Sequence, residues 1–149
     1  MLPDRLNLLF VSQLIGLMIQ EPTAISTPIA VSLGAIPGAL CRYFLTILLA
    51  QWLGANFPFG TFVINLSGAL LMGFFVTLVT HQIIASLDLQ SLIMTGFLGS
   101  YTTFSTYALD TSVLLRSGSR GKALFYWAGS VIFGGVCLEI GMGLASTIR

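Results

Sequence analysis

The sequence predicts an all-α membrane protein that crosses the bilayer with four helices. Two observations concern composition: 56% of the 149 residues are hydrophobic and only 7% are charged. Ordinary soluble domains carry about 25% charged residues, so this composition excludes a soluble domain. A third observation is that the apolar residues fall into four runs, each longer than the roughly 20 residues that a helix needs to cross the hydrocarbon.

The four apolar runs cover about residues 28–53, 59–84, 89–115 and 123–148, which we assign to one domain at 28–149. The links "GANFP", "SLD" and "RSGSRGK" are short, so sequential helices should be antiparallel neighbours in one four-helix unit. Residues 1–27 form an N-terminal extension. Its apolar part, residues 6–19, is too short to span, so we expect this extension to be interfacial or disordered.

The basic residues give the chain little preference for one orientation in the membrane. Four spans place Arg5 and Arg149 on one side and Arg116, Arg120 and Lys122 on the other. Orientation follows an excess of Lys and Arg on one side, and two against three is hardly an excess. Subunits of this chain can therefore be expected in both orientations. The net charge of +1 offers no reason to expect a nucleic-acid partner.

The third run contains a stretch, "GFLGSYTTFSTYALD" at 96–110, that is unusually rich in hydroxyl groups. Glycine has a poor helix propensity, and Ser and Thr compete for backbone hydrogen bonds. The stretch therefore predicts a broken third helix, with the break near Gly99–Thr102. Carbonyls freed at membrane depth must face protein or a cavity, and in broken membrane helices such carbonyls commonly coordinate Na⁺.

Three of the runs carry polar or aromatic side chains at helical spacing. These are Thr61 and Asn65 in the second run, Phe104, Ser105, Thr106 and Tyr107 in the third, and Tyr126 and Ser130 in the fourth. Hydroxyls and amide N–H groups are donors, and the edge of an aromatic ring is partially positive. Such a lining suits a small anion that must lose its water and still be released. Each pair alone is equally explained by contacts between helices, and this alternative stays open for Asn65.

Other chemistries have little support in the sequence. Cys41 and Cys137 lie in apolar runs, which favours packed thiols over a disulfide or a metal site. His81 stands at the end of an apolar run without a second ligand type, so we interpret it as an interfacial residue. The sequence shows no nucleophile–base pair, so we do not expect an enzyme.

Three stretches of the chain resemble the signature motifs of the small bacterial fluoride channels, the Fluc or CrcB family. They are "GAIPGALCRY" at 34–43, "FGTFVINLSG" at 59–68 and the stretch at 96–110, and the likeness runs from Ile29 to the C-terminus. The resemblance implies a passive, multi-pass channel of the cell membrane that exports fluoride and lowers cytoplasmic fluoride. It also implies dual-topology homodimers of two antiparallel subunits, with two pores along their interface, in the lipid bilayer.

The resemblance assigns roles to the polar residues by their motif positions. It makes Asn65 the pore asparagine and Phe104 the first pore phenylalanine, with the hydroxyls of Ser105 and Thr106 beside it. The polar track along which fluoride continues corresponds to Thr61, Tyr126 and Ser130, and the basic residue of the first motif, in the vestibule, is Arg42. A central structural Na⁺ would be held by the backbone carbonyls of Gly99 and Thr102 from both subunits.

The chain departs from the family pattern at three positions. Tyr107 stands where the family usually has a second pore phenylalanine, Ser100 replaces a glycine, and Asp110 replaces a glutamate. Tyrosine keeps the ring edge and adds a hydroxyl, so the fluoride site there is expected to be altered. Serine should restrict the backbone next to the Na⁺ site without removing a carbonyl.

Three alternative functions remain for a chain of this kind. A small multidrug-type exporter driven by protons and a fluoride/proton antiporter both need a membrane-embedded carboxylate as a switch. The candidates are Asp110 and Glu139, which lie towards the ends of their runs, and the first run has no carboxylate. A non-transporting assembly subunit would explain packing residues but not three aligned rows of donors.

Overall fold

A computed structural model describes residues 23–148 of the chain, with side chains described from Ser26, and all regular structure in this part is helical. The helices are α1 (Thr23–Leu53), α2 (Phe59–Thr80), α3 (Leu87–Gln90), a π-helical segment (Ser91–Leu98), α4 (Gly99–Tyr101), α5 (Phe104–Arg116) and α6 (Arg120–Ser146). Residues 23–27, assigned from the sequence to the N-terminal extension, thus form the start of α1. The predictions for residues 1–22 lie outside the described residues.

Three of these helices are long and apolar enough to cross a membrane: Ser26–Leu53 of α1, α2 and α6. The third predicted span is present as a succession of shorter helices from α3 to α5. Its interruption lies at Thr102 and Thr103, whose backbones are extended (φ −80°, ψ 160° and φ −151°, ψ 118°). The break begins at the end of the predicted stretch Gly99–Thr102 and extends one residue beyond it, and Gly99 itself is helical (φ −63°, ψ −34°).

Glycines allow the helices to pack closely in two pairs. In the first pair, a Cβ on Gly34 or Gly96 would collide with the backbone of the facing element, so α1 and the π-helical segment approach to backbone contact. In the second pair, Gly73 of α2 faces Leu138 of α6, and Gly141 faces Leu70. The small-residue pair Gly34 and Gly38, whose partner the sequence does not identify, therefore packs within the subunit.

Two buried clusters occupy the interior on either side of the break. One joins Tyr107 and Leu114 of α5 to Ala123 and Tyr126 of α6. The other joins Ile64 of α2 to Leu98 and Tyr101, just before the break. Most other large apolar side chains of α1 and α6 are exposed, as expected for helices that face lipid or another subunit.

Candidate functional site

Asn65 of α2 holds the broken segment in place. The N–H of Thr103 donates to Asn65 Oδ1 at 2.9 Å, and Asn65 Nδ2 donates to the Thr103 carbonyl at 3.1 Å. An amide side chain can make both bonds because it carries a donor and an acceptor side by side. Since Thr103 is buried, these two bonds satisfy backbone groups that would otherwise be unpaired at membrane depth.

The same geometry frees a carbonyl one turn earlier. In a continuous α-helix the N–H of Thr103 would donate to the carbonyl of Gly99, four residues before it. That N–H is directed to Asn65 instead. The carbonyl of Thr102, which follows the last residue of α4, accepts a bond from Arg42 Nη1 at 3.4 Å. The two carbonyls that the family resemblance assigns to Na⁺, those of Gly99 and Thr102, thus lie within and directly after α4, where helical bonding stops.

Hydroxyl groups cap the helix that resumes after the break. Thr103 Oγ1 accepts from the N–H of Thr106 at 3.2 Å and donates to the Thr106 hydroxyl at 3.1 Å. The Thr103 and Ser105 hydroxyls are 3.3 Å apart. A threonine with extended backbone whose oxygen accepts from the third residue along is an ordinary helix N-cap. Ser105 and Thr106 therefore belong to the cap of α5 as well as to the hydroxyl-rich surface.

The two aromatic residues of α5 differ in how exposed their side chains are. The Phe104 ring is 80% exposed in the single subunit. Tyr107 is buried, with its ring centroid 5.7 Å from that of Phe104 and its hydroxyl donating to the carbonyl of Trp127 at 2.8 Å. The additional hydroxyl of Tyr107 is therefore directed to the backbone of α6, and its ring remains against Phe104.

The residues of the predicted polar track are connected at the α5–α6 contact. The hydroxyl of Tyr126, a fully buried residue, donates to Asp110 Oδ2 at 3.1 Å, and Ser130 Oγ donates to the Tyr126 carbonyl at 2.6 Å. The Tyr107 and Tyr126 rings lie 5.4 Å apart. Thr61 is buried on α2. Asp110 is thus hydrogen-bonded to a buried phenol.

Three cavities follow one another past the break. The mouth cavity, of about 270 Å³, extends from Gly54 and Ala55 to Thr61, Thr106 and Asp110. The arginine cavity, of about 310 Å³, lies beside Arg42. The break cavity, of about 390 Å³, is lined by Asn65, Phe104, Tyr107 and Ser130. Thr61 and Thr106 line both of the first two cavities. Thr103 lines both of the last two. Every predicted site residue that lines a cavity therefore lies along this one series.

Sequence reasoning missed some residues that shape the site. Thr103 was not singled out, although a threonine directly before a helical run is a recognisable cap signal. The hydrogen bond of 2.8 Å between the Tyr101 and Ser67 hydroxyls was not expected either. Ser100 was singled out in the sequence, but not its bond, in which Ser100 Oγ donates to the carbonyl of Ala35 at 2.9 Å. Ser100, a departure from the family pattern, therefore ties the segment before the break to α1.

Metal-binding side chains do not gather anywhere in the described residues: no group of three or more His, Cys, Asp or Glu is present there. Cys41 is exposed and Cys137 half-buried, both as free thiols. His81 is exposed at the end of α2.

Long apolar helices with a polar interruption at membrane depth define a multi-pass membrane protein built around an internal polar site. Residues 29–142 match the family model described as CrcB-like protein, Camphor Resistance (CrcB), and the chain belongs to the CrcB family. The resemblance seen in the three motifs is thereby confirmed.

Similar proteins carry one recurrent description. The chain is 53% identical over 126 residues to the fluoride-specific ion channel FluC of Trichormus variabilis, covering 84% of this chain and 91% of that protein. It is 48% identical over 124 residues to a protein of the same name from a Synechocystis species, covering 83% and 95%. It is 46% identical over 126 residues to a third, from a Synechococcus species, covering 85% and 97%.

Proposed function

We propose that this protein is a fluoride-selective passive channel that lets fluoride leave the cell. The observation that supports this most is the break at Thr102–Thr103, held open by Asn65 and surrounded by hydroxyl, amide and ring-edge groups. Donors of this kind can replace the hydration shell of a small anion without the tight binding of a full charge. The relatives described as fluoride-specific channels supply the identity of the anion.

A passive mechanism fits the described carboxylates better than a proton-coupled one. Asp110 accepts a hydrogen bond from Tyr126, and Glu139 lines a separate cavity with His81 at the other end of α2 and α6. Glu139 lines none of the three cavities of the proposed path, and Asp110 lines the mouth cavity but not the break cavity. A proton-coupled exporter or antiporter needs a carboxylate that the substrate path and the proton share. None of the described carboxylates lines the break cavity, where such sharing would have to occur, and this favours the channel over both carriers.

Fluoride efflux from liposomes tests the proposed function. Purified protein in vesicles loaded with potassium fluoride, with equal pH on both sides and a potassium ionophore, should release fluoride without any opposing proton gradient. Vesicles loaded with potassium chloride serve as the matched control and should retain their anion. Release that requires a pH gradient, or equal release of chloride, would contradict the proposal.

We infer that the functional unit is an antiparallel homodimer with one pore for each of its two breaks. Two features of the subunit support this: the Phe104 ring beside the break is 80% exposed, and a Cβ on Gly134 or Gly135 would meet no atom within 4 Å. A second copy would cover both. The nearly balanced basic residues allow the two copies to insert in opposite directions.

Terminal tags test the antiparallel dimer. A tag on either terminus should be accessible from both sides of the membrane in equal measure. Two lysines added next to Asp88 should bias insertion to one orientation and lower activity, because antiparallel partners become scarce. Two glutamates at the same place are the matched control, because acidic residues have little effect on orientation. A single orientation with full activity would exclude the dimer proposed here.

A structural Na⁺ is compatible with the groups at the break. The Gly99 carbonyl is not bonded by the Thr103 N–H, and the Thr102 carbonyl retains a second lone pair beside the bond from Arg42. These oxygens, contributed by both subunits, would hold the ion and tie the two breaks together. Replacing Na⁺ by N-methylglucamine at constant ionic strength should lower the thermal stability of the dimer. Equal thermal stability of the dimer in Na⁺ and in N-methylglucamine would contradict the assignment of these carbonyls to a structural Na⁺.

A further inference from the structure

Among the described residues, the strongest concentration of charge lies at one end of the subunit, where α5 ends and α6 begins. Arg116, Arg120 and Lys122 are exposed there within seven residues. Within residues 26–148 the only other Lys or Arg is Arg42, deep beside the break. We call residues 116–122, which comprise the last residue of α5, the turn and the first residues of α6, the basic loop. Nothing in the fluoride path described so far uses it.

A direct contact connects the basic loop to the mouth cavity. Lys122 Nζ donates to the carbonyl of Asn56 at 3.4 Å. Asn56 belongs to the link between α1 and α2, whose residues Gly54, Ala55 and Phe57 line the outer part of the mouth cavity. The inner part of the same cavity reaches Thr61 and Thr106. The basic loop therefore lies at the rim of the cavity that leads to the proposed fluoride path.

Charge at this position acts on an anion before it leaves the water. Asp110 is the carboxylate among the residues that line the mouth cavity, and it lies on the inner side, bonded to Tyr126. The basic loop, which contacts the rim through Lys122, therefore places positive charge outside the mouth cavity, whereas the negative charge of Asp110 lies deeper in it. Basic groups at the mouth of a low-dielectric cleft concentrate anions there and speed their capture.

On the basis of the proposed fluoride path, we propose that the basic loop is an electrostatic collector that raises the fluoride concentration at the mouth cavity. Three unit charges about 10 Å from an ion in water raise its local concentration about fourfold at 0.01 M ionic strength and about twofold at 0.15 M. The collector changes how often fluoride is captured. It leaves unchanged how fast a captured ion crosses the break, because Asn65, Phe104 and the hydroxyls are untouched.

The test compares wild type with a triple variant, Arg116→Gln, Arg120→Gln and Lys122→Gln, in vesicles of zwitterionic lipid that carry no surface charge. At fluoride concentrations well below saturation, wild type should conduct about fourfold faster than the variant at 0.01 M ionic strength, and about twofold faster at 0.15 M. At saturating fluoride the two rates should be equal. An impermeant salt sets the ionic strength on both sides.

A charge-conserving variant, Arg116→Lys, Arg120→Lys and Lys122→Arg, is the matched control and should keep the rate and salt dependence of wild type. Equal rates for wild type and the glutamine variant at low salt and low fluoride would overturn the collector. A loss of the same size at saturating fluoride, shared by the control, would also overturn it, because it would show a structural role. Wild-type protein that conducts no fluoride would instead contradict the proposed function, so the two failures are distinguishable.

Discussion

The side-chain amide of Asn65 forms two hydrogen bonds with the backbone of a single residue, Thr103, one to its N–H and one to its carbonyl. The sequence left two interpretations of Asn65 open, contact between helices and a pore lining. The geometry is compatible with both interpretations. Asn65 bonds to Thr103, which is part of the break, and Asn65 also lines the break cavity beside Phe104. Its role in fluoride passage stays a prediction.

Asn65→Asp should abolish fluoride conduction. Aspartate can still accept from the Thr103 N–H but cannot donate to its carbonyl, and it places a negative charge beside an anion path. Leaving the carbonyl unpaired should cost about 1–3 kcal/mol of stability. Fluoride efflux and thermal unfolding measure the two effects. Ser67→Ala, which loses the bonds of Ser67 Oγ to the Tyr101 hydroxyl and to the Ile64 carbonyl but leaves the bonds to Thr103 intact, is the control and should still conduct. Near wild-type flux in the aspartate variant would remove Asn65 from the path.

Tyr107→Phe should conduct fluoride at close to the wild-type rate. The Tyr107 hydroxyl donates to Trp127, so its loss leaves the ring in place against Phe104. The variant should be less stable by about 0.5–1.5 kcal/mol, the net value of one hydrogen bond. Efflux and thermal unfolding on the same preparations provide the comparison. A large fall in fluoride flux with unchanged stability would indicate that the hydroxyl binds fluoride directly.

Phe104→Ile should reduce fluoride flux strongly while leaving the subunit as stable as wild type. The ring is 80% exposed in the subunit, so little packing within the subunit depends on it, but isoleucine has no positively polarised ring edge to offer an anion. Phe104→Tyr keeps that edge and serves as the control. Flux in the isoleucine variant equal to that of the tyrosine variant would show that the ring edge plays no part.

Two glycine substitutions should separate packing within the subunit from packing between subunits. Gly34→Val places a side chain against the Leu92 carbonyl, so it should destabilise the subunit by about 1–3 kcal/mol. Gly135→Val meets nothing within 4 Å in the subunit, so it should leave the subunit intact and weaken the dimer. Unfolding experiments and the monomer–dimer equilibrium in detergent measure the two outcomes. A wild-type dimer affinity for the Gly135 variant would exclude that face from the interface.

The membrane spans and the interruption of the third one were predictable from the sequence because they depend on local composition. Apolar length identifies a span, and glycine with threonine weakens a helix wherever it occurs. The extension of the break to Thr103 was not predictable, because Thr103 leaves the helix for a bond to Asn65, 38 residues earlier in the chain. The π-helical segment before it gave no sequence signal either. It packs against Gly34 through Gly96, a contact between distant parts of the chain.

The candidate site, like the fold, combines features that the sequence predicted with features that it did not. Helical spacing placed Thr61 and Asn65 on one face, and Tyr126 and Ser130 are indeed joined by a bond between residues four apart. Nothing in the spacing indicated that the Tyr107 hydroxyl would turn to the backbone of Trp127, or that Tyr126 would bond Asp110. These pairings depend on how α5 packs against α6, which is tertiary information.

The reversal potential of the current in a planar bilayer tests the central claim most directly. With a tenfold fluoride gradient, equal chloride on both sides and equal pH, a passive fluoride-selective channel should reverse at the fluoride equilibrium potential, about 59 mV from zero. Imposing a pH difference should leave that potential unchanged. A reversal potential close to zero would show that chloride passes as well, and one that moves with the pH difference would show proton coupling. Either result would contradict a passive fluoride path past the break that Asn65 holds.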